Sequence, residues 1–231
     1  MPAERQGKKT AKNATMVQFL MNSPLRHAGL DLARHHDEPL QQSVPAIFIT
    51  GSSHVGKTTL AARLADRLSW NLISTDKLAR HPGRPWPDIP PAVAEYYASL
   101  SPETIYWFLR VHHENMWPLI RQKIEAKTRA RRPFIMEGSA LRPEYIAALG
   151  GIAVCLWADE DFLRERIRRE ARYVEANAYQ RVLIDKFTER SVRDNSEMRA
   201  SAEKHSMTIV DTADAGAVER LFDMLVERAN A

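Results

Sequence analysis

Apolar positions along the chain follow two different patterns. Short apolar runs bounded by polar or turn residues predict buried strands, whereas apolar residues that recur every three or four positions predict helices. The first pattern predicts strands near residues 46–50, 71–74, 133–137, 152–157 and 207–211. The second predicts helices over residues 57–69, 91–99, 102–129, 143–149, 160–174, 177–203 and 215–229. Strands that alternate with helices are typical of an α/β protein, in which helices cover both faces of a parallel sheet.

The first 44 residues do not share this alternation. Residues 1–15 are polar and basic, which is typical of disorder, and residues 16–34 hold enough apolar positions for a short helix broken at Pro24. We therefore predict a partly disordered N-terminal extension over residues 1–44 and one α/β domain over residues 45–231.

Composition and charge exclude several classes of protein. The chain carries 33 basic and 29 acidic residues, a net charge of +4, which suits an enzyme that handles polyanions but does not require a nucleic-acid partner. No apolar stretch is long enough to span a membrane, and the N-terminus lacks the apolar core of a signal peptide. We expect a cytoplasmic monomer or homodimer that binds neither nucleic acid nor membrane. The single cysteine, Cys155, excludes a disulfide within the chain.

The strongest chemical signal lies between the first predicted strand and the first predicted helix. Residues 51–58 read Gly-Ser-Ser-His-Val-Gly-Lys-Thr and match the phosphate-binding pattern G-x-x-x-x-G-K-[ST]. The loop and the helix N-terminus would present backbone N–H groups to a nucleotide's phosphates. Lys57 would reach the β- and γ-phosphates, and the Thr58 hydroxyl would ligate Mg²⁺. The predicted nucleotide-binding residues are Gly51, Ser52, Ser53, His54, Val55, Gly56, Lys57, Thr58 and Thr59.

Acidic residues follow the second and third predicted strands. Asp76 lies 19 residues beyond Lys57, and Glu137 ends the third strand. The carboxyl ends of parallel strands share one edge, where open α/β sheets bind ligands. Asp76 would therefore face the γ-phosphate, where it could orient or deprotonate an attacking hydroxyl or hold a magnesium-bound water. A purely structural role as a helix cap is the alternative for Asp76.

Basic residues accompany this edge of the sheet. Residues 77–130 are a predicted helical insertion over the carboxyl ends of the strands, and Arg80 and Arg84 lie in its first loop. A guanidinium group matches phosphate or carboxylate, so these arginines suit an anionic substrate. Arg142 is either a ligand for a substrate anion or a surface cation. His112 and His113 point about 100° apart on a helix, which argues against a shared metal ion.

Taken together, the phosphate loop, the two acidic residues and an arginine-rich helix after the fourth strand resemble the adenylate-kinase-like group of P-loop small-molecule kinases. That group includes shikimate, gluconate and chloramphenicol kinases and proteins labelled 2-phosphoglycerate kinase, and the resemblance covers residues 45–230. It implies a P-loop NTPase three-layer sandwich with five parallel strands in the order 2-3-1-4-5. It also implies an acceptor-binding insertion at 77–130 and an arginine-bearing lid at about 160–195.

The lid helix offers several arginines. Arg164, Arg168 and Arg172 would share one helix face, and Arg166 and Arg169 form a second candidate pair. By the resemblance, Arg168 is the predicted catalytic arginine, together with Lys57 and Asp76. Arg190 or Arg193 on the next helix could reach the nucleotide or the acceptor.

The resemblance implies an ATP-dependent kinase that transfers the γ-phosphoryl group to a hydroxyl of a small anionic metabolite. Its cofactors would be ATP and Mg²⁺, with Thr58 and Glu137 at the metal. The predicted acceptor-binding residues are Asp76, Arg80, Arg84, Glu137 and Arg142.

Two alternatives remain open. One is a kinase of a nucleotide or nucleotide-sugar, as toxin kinases are, because residues 23–34 weakly resemble the toxin-binding tail of some bacterial antitoxins. The other is an ATPase or regulatory module without a small acceptor. A GTP-reading N-K-x-D motif is absent from the sequence.

Overall fold

The computed structural model describes residues 44–230 of the chain. The predicted extension, apart from its last residue, lies outside this range. The same holds for its predicted disorder and for the antitoxin-like segment at residues 23–34.

The strands of the described region form one parallel sheet. Their bounds are β1 Ala46–Thr50, β2 Asn71–Ser74, β3 Phe134–Glu137, β4 Ile152–Trp157 and β5 Thr208–Asp211. The strand order is β2-β3-β1-β4-β5, and every neighbouring pair is parallel. The α/β class and the order that the resemblance implies are therefore confirmed. Every residue of the central strands β1 and β3 is buried, because helices flank the sheet.

Helices alternate with these strands. Their bounds are α1 Lys57–Leu68, α2 Pro91–Ser99, α3 Pro102–Arg129, α4 Pro143–Ile146, α5 Glu160–Glu170, α6 Ala178–Lys204 and α7 Ala215–Asn230. Helix α1 packs against α7 in one layer, and α6 packs against α2, α3, α4 and α5 in the other. Within residues 44–230, no helix has the length and apolar character needed to cross a lipid bilayer.

Two helices end three or four residues earlier than predicted. Helix α4 stops at Ile146 rather than 149, and α5 stops at Glu170 rather than 174. Beyond α5 the chain turns, and Arg172 takes a left-handed backbone conformation with φ of 50° that no α-helix can contain. Asn177 then begins α6 through a capping box with Gln180.

The predicted insertion at 77–130 contributes to the main core. Met116, Ile120 and Ile124 lie four residues apart on α3 and are buried in the same cluster as Phe48 and Phe134 of the sheet. Fully burying one such aliphatic side chain stabilises a fold by about 1.5–3 kcal/mol. Helix α3 is thus fixed on the sheet.

Candidate functional site

The phosphate-binding loop connects β1 to α1 through two glycines with positive φ. A Cβ atom at Gly51 would lie 2.4 Å from the carbonyl oxygen of Leu156, so the close backbone contact there requires glycine. Gly56 has a φ of 89° and leads directly into α1. At the first residue of the helix, Lys57 bends back over the loop and its Nζ donates to the carbonyl oxygen of Ser52 at 2.5 Å. The loop therefore places a cation where a phosphate would bind.

Two carboxylates lie beside this lysine. Burial lowers the pKa of Lys57, and the nearby Glu137 and Asp76 carboxylates act in the opposite direction. Glu137 ends β3 with only 2% of its surface exposed, and its Oε2 accepts a hydrogen bond from Thr58 Oγ1 at 3.4 Å. Asp76 is exposed in the 3-10 turn Thr75–Lys77 that follows β2. The structure thus brings Lys57, Asp76 and Glu137 together.

Gly138 holds the two acidic residues close to each other. A Cβ atom at this glycine would lie 1.8 Å from Thr75 Oγ1, in the turn that carries Asp76. Only glycine permits the end of β3 to approach that turn so closely. The position of Asp76 relative to Glu137 therefore depends on strand register and on this one small residue.

Thr58 and Glu137 place two oxygen atoms of the kind that Mg²⁺ prefers next to each other. Magnesium in nucleotide sites is typically held by one or two protein oxygens, with phosphate and water completing the shell. Within residues 44–230, no group of three or more His, Cys, Asp and Glu side chains is arranged to hold a metal ion. Two protein oxygens are enough for a magnesium ion that a bound nucleotide would share.

Arginines reach the phosphate loop from three directions. The Arg166 guanidinium on α5 lies 3.8 Å from the position of a Cβ atom on Gly56. Arg190 on α6 donates to Ser53 Oγ at 3.5 Å and lies 4.4 Å from the centre of the Phe187 ring. Arg84, in the loop before α2, lies near His54 and lowers its pKa. The loop is therefore surrounded by positive charge.

The prediction that Arg168 is the arginine at the loop is not supported by its position. Arg168 pairs with Asp185 at 3.4 Å and stacks on Tyr173 at 4.8 Å. Arg164 pairs with Glu189 at 2.6 Å, and Arg172 lies beyond the helix end. The predicted shared face of these three residues is wrong for Arg172, since α5 has already ended.

The sequence held a partial signal for Arg166. Leu163 and Ile167 form the buried stripe of α5, and Arg166 lies at helical spacing beside both of them. Arg164 borders the same stripe but pairs with Glu160 and Glu189, so the spacing narrows the choice only to these two arginines. Arg190 is likewise positioned by its neighbours on α6, since Phe187 and Ser191 are buried.

His54, in the middle of the loop, is an unusual residue. It has a φ of 67°, which is uncommon outside glycine, and its side chain is only 1% exposed. The ring packs against Trp86 and Phe187, with centroid distances of 5.7 and 5.6 Å, and its Nε2 lies 3.2 Å from Glu170 Oε2. Burial, with help from Arg84 and other cations, lowers the pKa of His54 to about 3. The ring is neutral and acts as packing between the loop, α6 and the segment before α2.

Two of the arginines predicted for the acceptor have carboxylate partners. Arg84 pairs with Glu170 of α5. Arg142 is 1% exposed, and its Nη1 donates to Asp194 Oδ1 at 2.6 Å. The alternative that Arg142 is a surface cation is therefore wrong, and its charge is already matched by Asp194. Arg80 is exposed.

A family model described as an AAA domain matches residues 47–203. This range spans most of the chain and contains Lys57, Asp76, Glu137, Arg166 and Arg190. The chain belongs to the AAA domain family. No curated protein matches this AAA domain protein.

Several solved structures are similar to this AAA domain. A gluconokinase from Sinorhizobium meliloti is 19% identical, with 81% of this chain and 94% of that chain covered and a TM-score of 0.44. A shikimate kinase from Bacteroides thetaiotaomicron is 20% identical, with 81% and 99% covered and a TM-score of 0.46. The dephospho-CoA kinase from Campylobacter jejuni is 13% identical, with 79% and 95% covered and a TM-score of 0.44.

Proposed function

We propose that the protein is a kinase that transfers the γ-phosphoryl group of ATP to a hydroxyl group of a small molecule. The observation that best supports this function is the convergence of Lys57, Asp76 and Glu137 at the carboxyl edge of the sheet. A phosphate loop alone serves motors and switches as well as kinases. Asp76 is a second, exposed carboxylate beside Lys57, and a carboxylate there can orient or deprotonate the hydroxyl that accepts the phosphoryl group.

The nucleotide would bind with its phosphates in the loop. Backbone N–H groups and Lys57 would contact the β- and γ-phosphates, and Thr58 and Glu137 would hold Mg²⁺. The metal ion, when bound, neutralises charge that develops on the phosphate oxygens. The chain contains no N-K-x-D motif for guanine, which favours ATP over GTP.

Asp76 would act on the acceptor. Its carboxylate is exposed, so an incoming hydroxyl can reach it. The hydroxyl oxygen forms a bond to the γ-phosphorus while the bond from that phosphorus to the β–γ bridging oxygen breaks, which releases ADP. The hydroxyl proton passes to the Asp76 carboxylate and from there to water.

Arg166 and Arg190 would stabilise the transferring group. Phosphoryl transfer spreads negative charge over the γ-oxygens, and fixed cations beside them lower the barrier. Both arginines lie at the phosphate loop. Arg168, which pairs with Asp185 instead, is left out of this set.

The sequence pointed to an anionic acceptor because of Arg80, Arg84 and Arg142. Two of these three cations have carboxylate partners in the structure. We therefore limit the proposed function to a small hydroxyl acceptor of unspecified charge.

The test is ADP release by the purified full chain with ATP and Mg²⁺, with and without a panel of hydroxyl compounds. We expect release that depends on at least one acceptor, and we expect Lys57→Ala to abolish it together with the stabilisation of the protein by ATP against heating. Release that no acceptor stimulates would indicate an ATPase. Equal thermal stabilisation of wild type and Lys57→Ala by ATP would contradict the nucleotide site itself.

A further inference from the structure

Three histidines form a cluster that reaches the neighbourhood of Asp76. His81 belongs to the loop before α2, and His112 and His113 are consecutive on α3. The ring centroids of His81 and His112 are 6.3 Å apart, and those of His112 and His113 are 6.1 Å apart. Asp76 is close enough to His112 to affect its pKa, so these side chains form one histidine cluster next to the proposed base.

His113 is the buried member of the histidine cluster. It is 2% exposed, and its Nε2 lies 3.3 Å from Ser139 Oγ, in the chain just beyond Glu137. Its Nδ1 is buried and has no hydrogen-bond partner within residues 44–230. A buried polar atom without a partner costs free energy, which a ligand's polar group can recover.

His112 and His113 are uncharged at neutral pH. Burial lowers the pKa of His112, and burial together with Arg142 lowers the pKa of His113 well below its usual value. A neutral imidazole carries one donor and one acceptor, and the Ser139 hydroxyl can also play either part. Such groups match ligand hydroxyls, which both donate and accept.

Three of the cations around the cluster are paired with carboxylates. Arg142 pairs with Asp194, Arg84 pairs with Glu170, and Arg110 pairs with Glu144 at 3.1 Å. Arg190 lies over Phe187 and contacts Ser53 of the phosphate loop. If the acceptor carried a carboxylate, binding would remove water from it and place it next to Asp76 and the neutral His112 and His113. The loss of hydration without a cationic partner would weaken binding.

We propose that the acceptor is an uncharged polyhydroxyl compound, a sugar or polyol, which His112, His113 and Ser139 bind through its hydroxyl groups. This inference rests on the proposed kinase function and names the substrate class of the same site. The hydroxyl nearest Asp76 is the one that receives the phosphoryl group, and the neighbouring hydroxyls are held by the histidine cluster.

The first test compares acceptors that differ only in charge. ADP release is measured for neutral sugars and polyols, each paired with the carboxylate of the same carbon skeleton, such as glucitol with gluconate. We expect kcat/KM to be at least about tenfold higher for the neutral member of the most active pair. A preference for the carboxylate members would overturn the inference while leaving the kinase function intact. Acceptor-independent release would contradict the kinase function, and the inference would fail with it.

The second test uses variants of the cluster. His113→Gln and Ser139→Ala should each raise the KM for the neutral acceptor by roughly 5- to 100-fold and leave the KM for ATP unchanged. Ser139→Ala removes one oxygen atom from a half-buried residue, so it remains informative if His113→Gln fails to fold. His205→Gln, at an exposed histidine beyond the end of α6, is the matched control. An unchanged acceptor KM in both cluster variants would contradict the assignment.

Discussion

His54 shows how a single residue connects the phosphate loop to the rest of the site. Its backbone takes a left-handed conformation that costs a non-glycine residue about 1 kcal/mol or more. The same backbone conformation places the ring between Trp86 and Phe187, and this packing offsets the cost. The phosphate loop is therefore held in place by contacts with Trp86, in the loop before α2, and with Phe187 of α6, as well as by its own glycines.

The titration of His54 should make the fold sensitive to acid. The folded protein keeps this ring neutral down to a pH of about 3, whereas the unfolded chain takes up the proton near pH 6.5. Between these values the unfolded state binds more protons, so the free energy of unfolding decreases as pH falls below about 6.5. One such group contributes at most ~1.4 kcal/mol per pH unit.

Urea unfolding of His54→Asn at pH 7.5 and pH 5 measures this contribution. Asparagine tolerates a positive φ and does not titrate in this range, so the variant should lose less stability on acidification than the wild type. His112 and His113, whose pKa values burial also lowers, contribute to the loss that remains. His205→Asn should behave like the wild type, and an unaltered pH dependence in His54→Asn would show that the ring is not the source.

At the scale of the element, α5 presents different arginines to different surroundings. Arg166 faces the phosphate loop, whereas Arg168 pairs with Asp185 on α6. The two residues are separated by about 200° around the helix axis, so they cannot serve the same ligand. Because of the way α5 lies over the phosphate loop, Arg166 rather than Arg168 is the arginine that lies next to the loop.

Parallel substitutions test this choice. Arg166→Gln should lower kcat by roughly 10²-fold, since it removes a fixed cation beside the transferring group. The kcat of Arg168→Gln should stay within a few-fold of the wild-type value, because Arg168 pairs with Asp185 and not with the phosphate loop. Loss of this exposed ion pair should also change the stability of the fold very little. Steady-state ADP release at saturating acceptor gives both values. A greater loss in Arg168→Gln than in Arg166→Gln would restore the original sequence prediction.

The contrast between these arginines shows what the sequence could and could not predict. The phosphate loop and the shared sheet edge of Asp76 and Glu137 follow from local patterns and from the topology of parallel sheets, whereas the strand order follows from the resemblance to P-loop kinases. The partners of Arg84 and Arg142 depend instead on Glu170 and Asp194, which only the packing of α5 and α6 brings near. Charge pairing between distant segments leaves no periodic signal in a sequence.

At the scale of the whole described region, α6 connects the parts of the site. Asn195 donates to the carbonyl oxygen of Ala158 at 2.7 Å and accepts from Ser52 of the phosphate loop at 3.3 Å. Asp194 binds Arg142, just beyond β3, and Lys186 donates to the carbonyl oxygens of Ala98 and Leu100 around the end of α2. Helix α6 thus contacts the phosphate loop, the chain just beyond β3 and the end of α2.

The most direct test of the account follows the phosphoryl group itself. Wild type and Asp76→Asn are incubated with γ-labelled ATP, Mg²⁺ and an acceptor that stimulates ADP release, and the labelled product is quantified. Asp88→Asn, at an exposed aspartate in the same segment before α2, is the control. We predict that label moves to the acceptor in wild type and control, and that Asp76→Asn nearly abolishes transfer while it still binds ATP. Transfer by Asp76→Asn within a few-fold of wild type, or label released only as inorganic phosphate, would contradict the account.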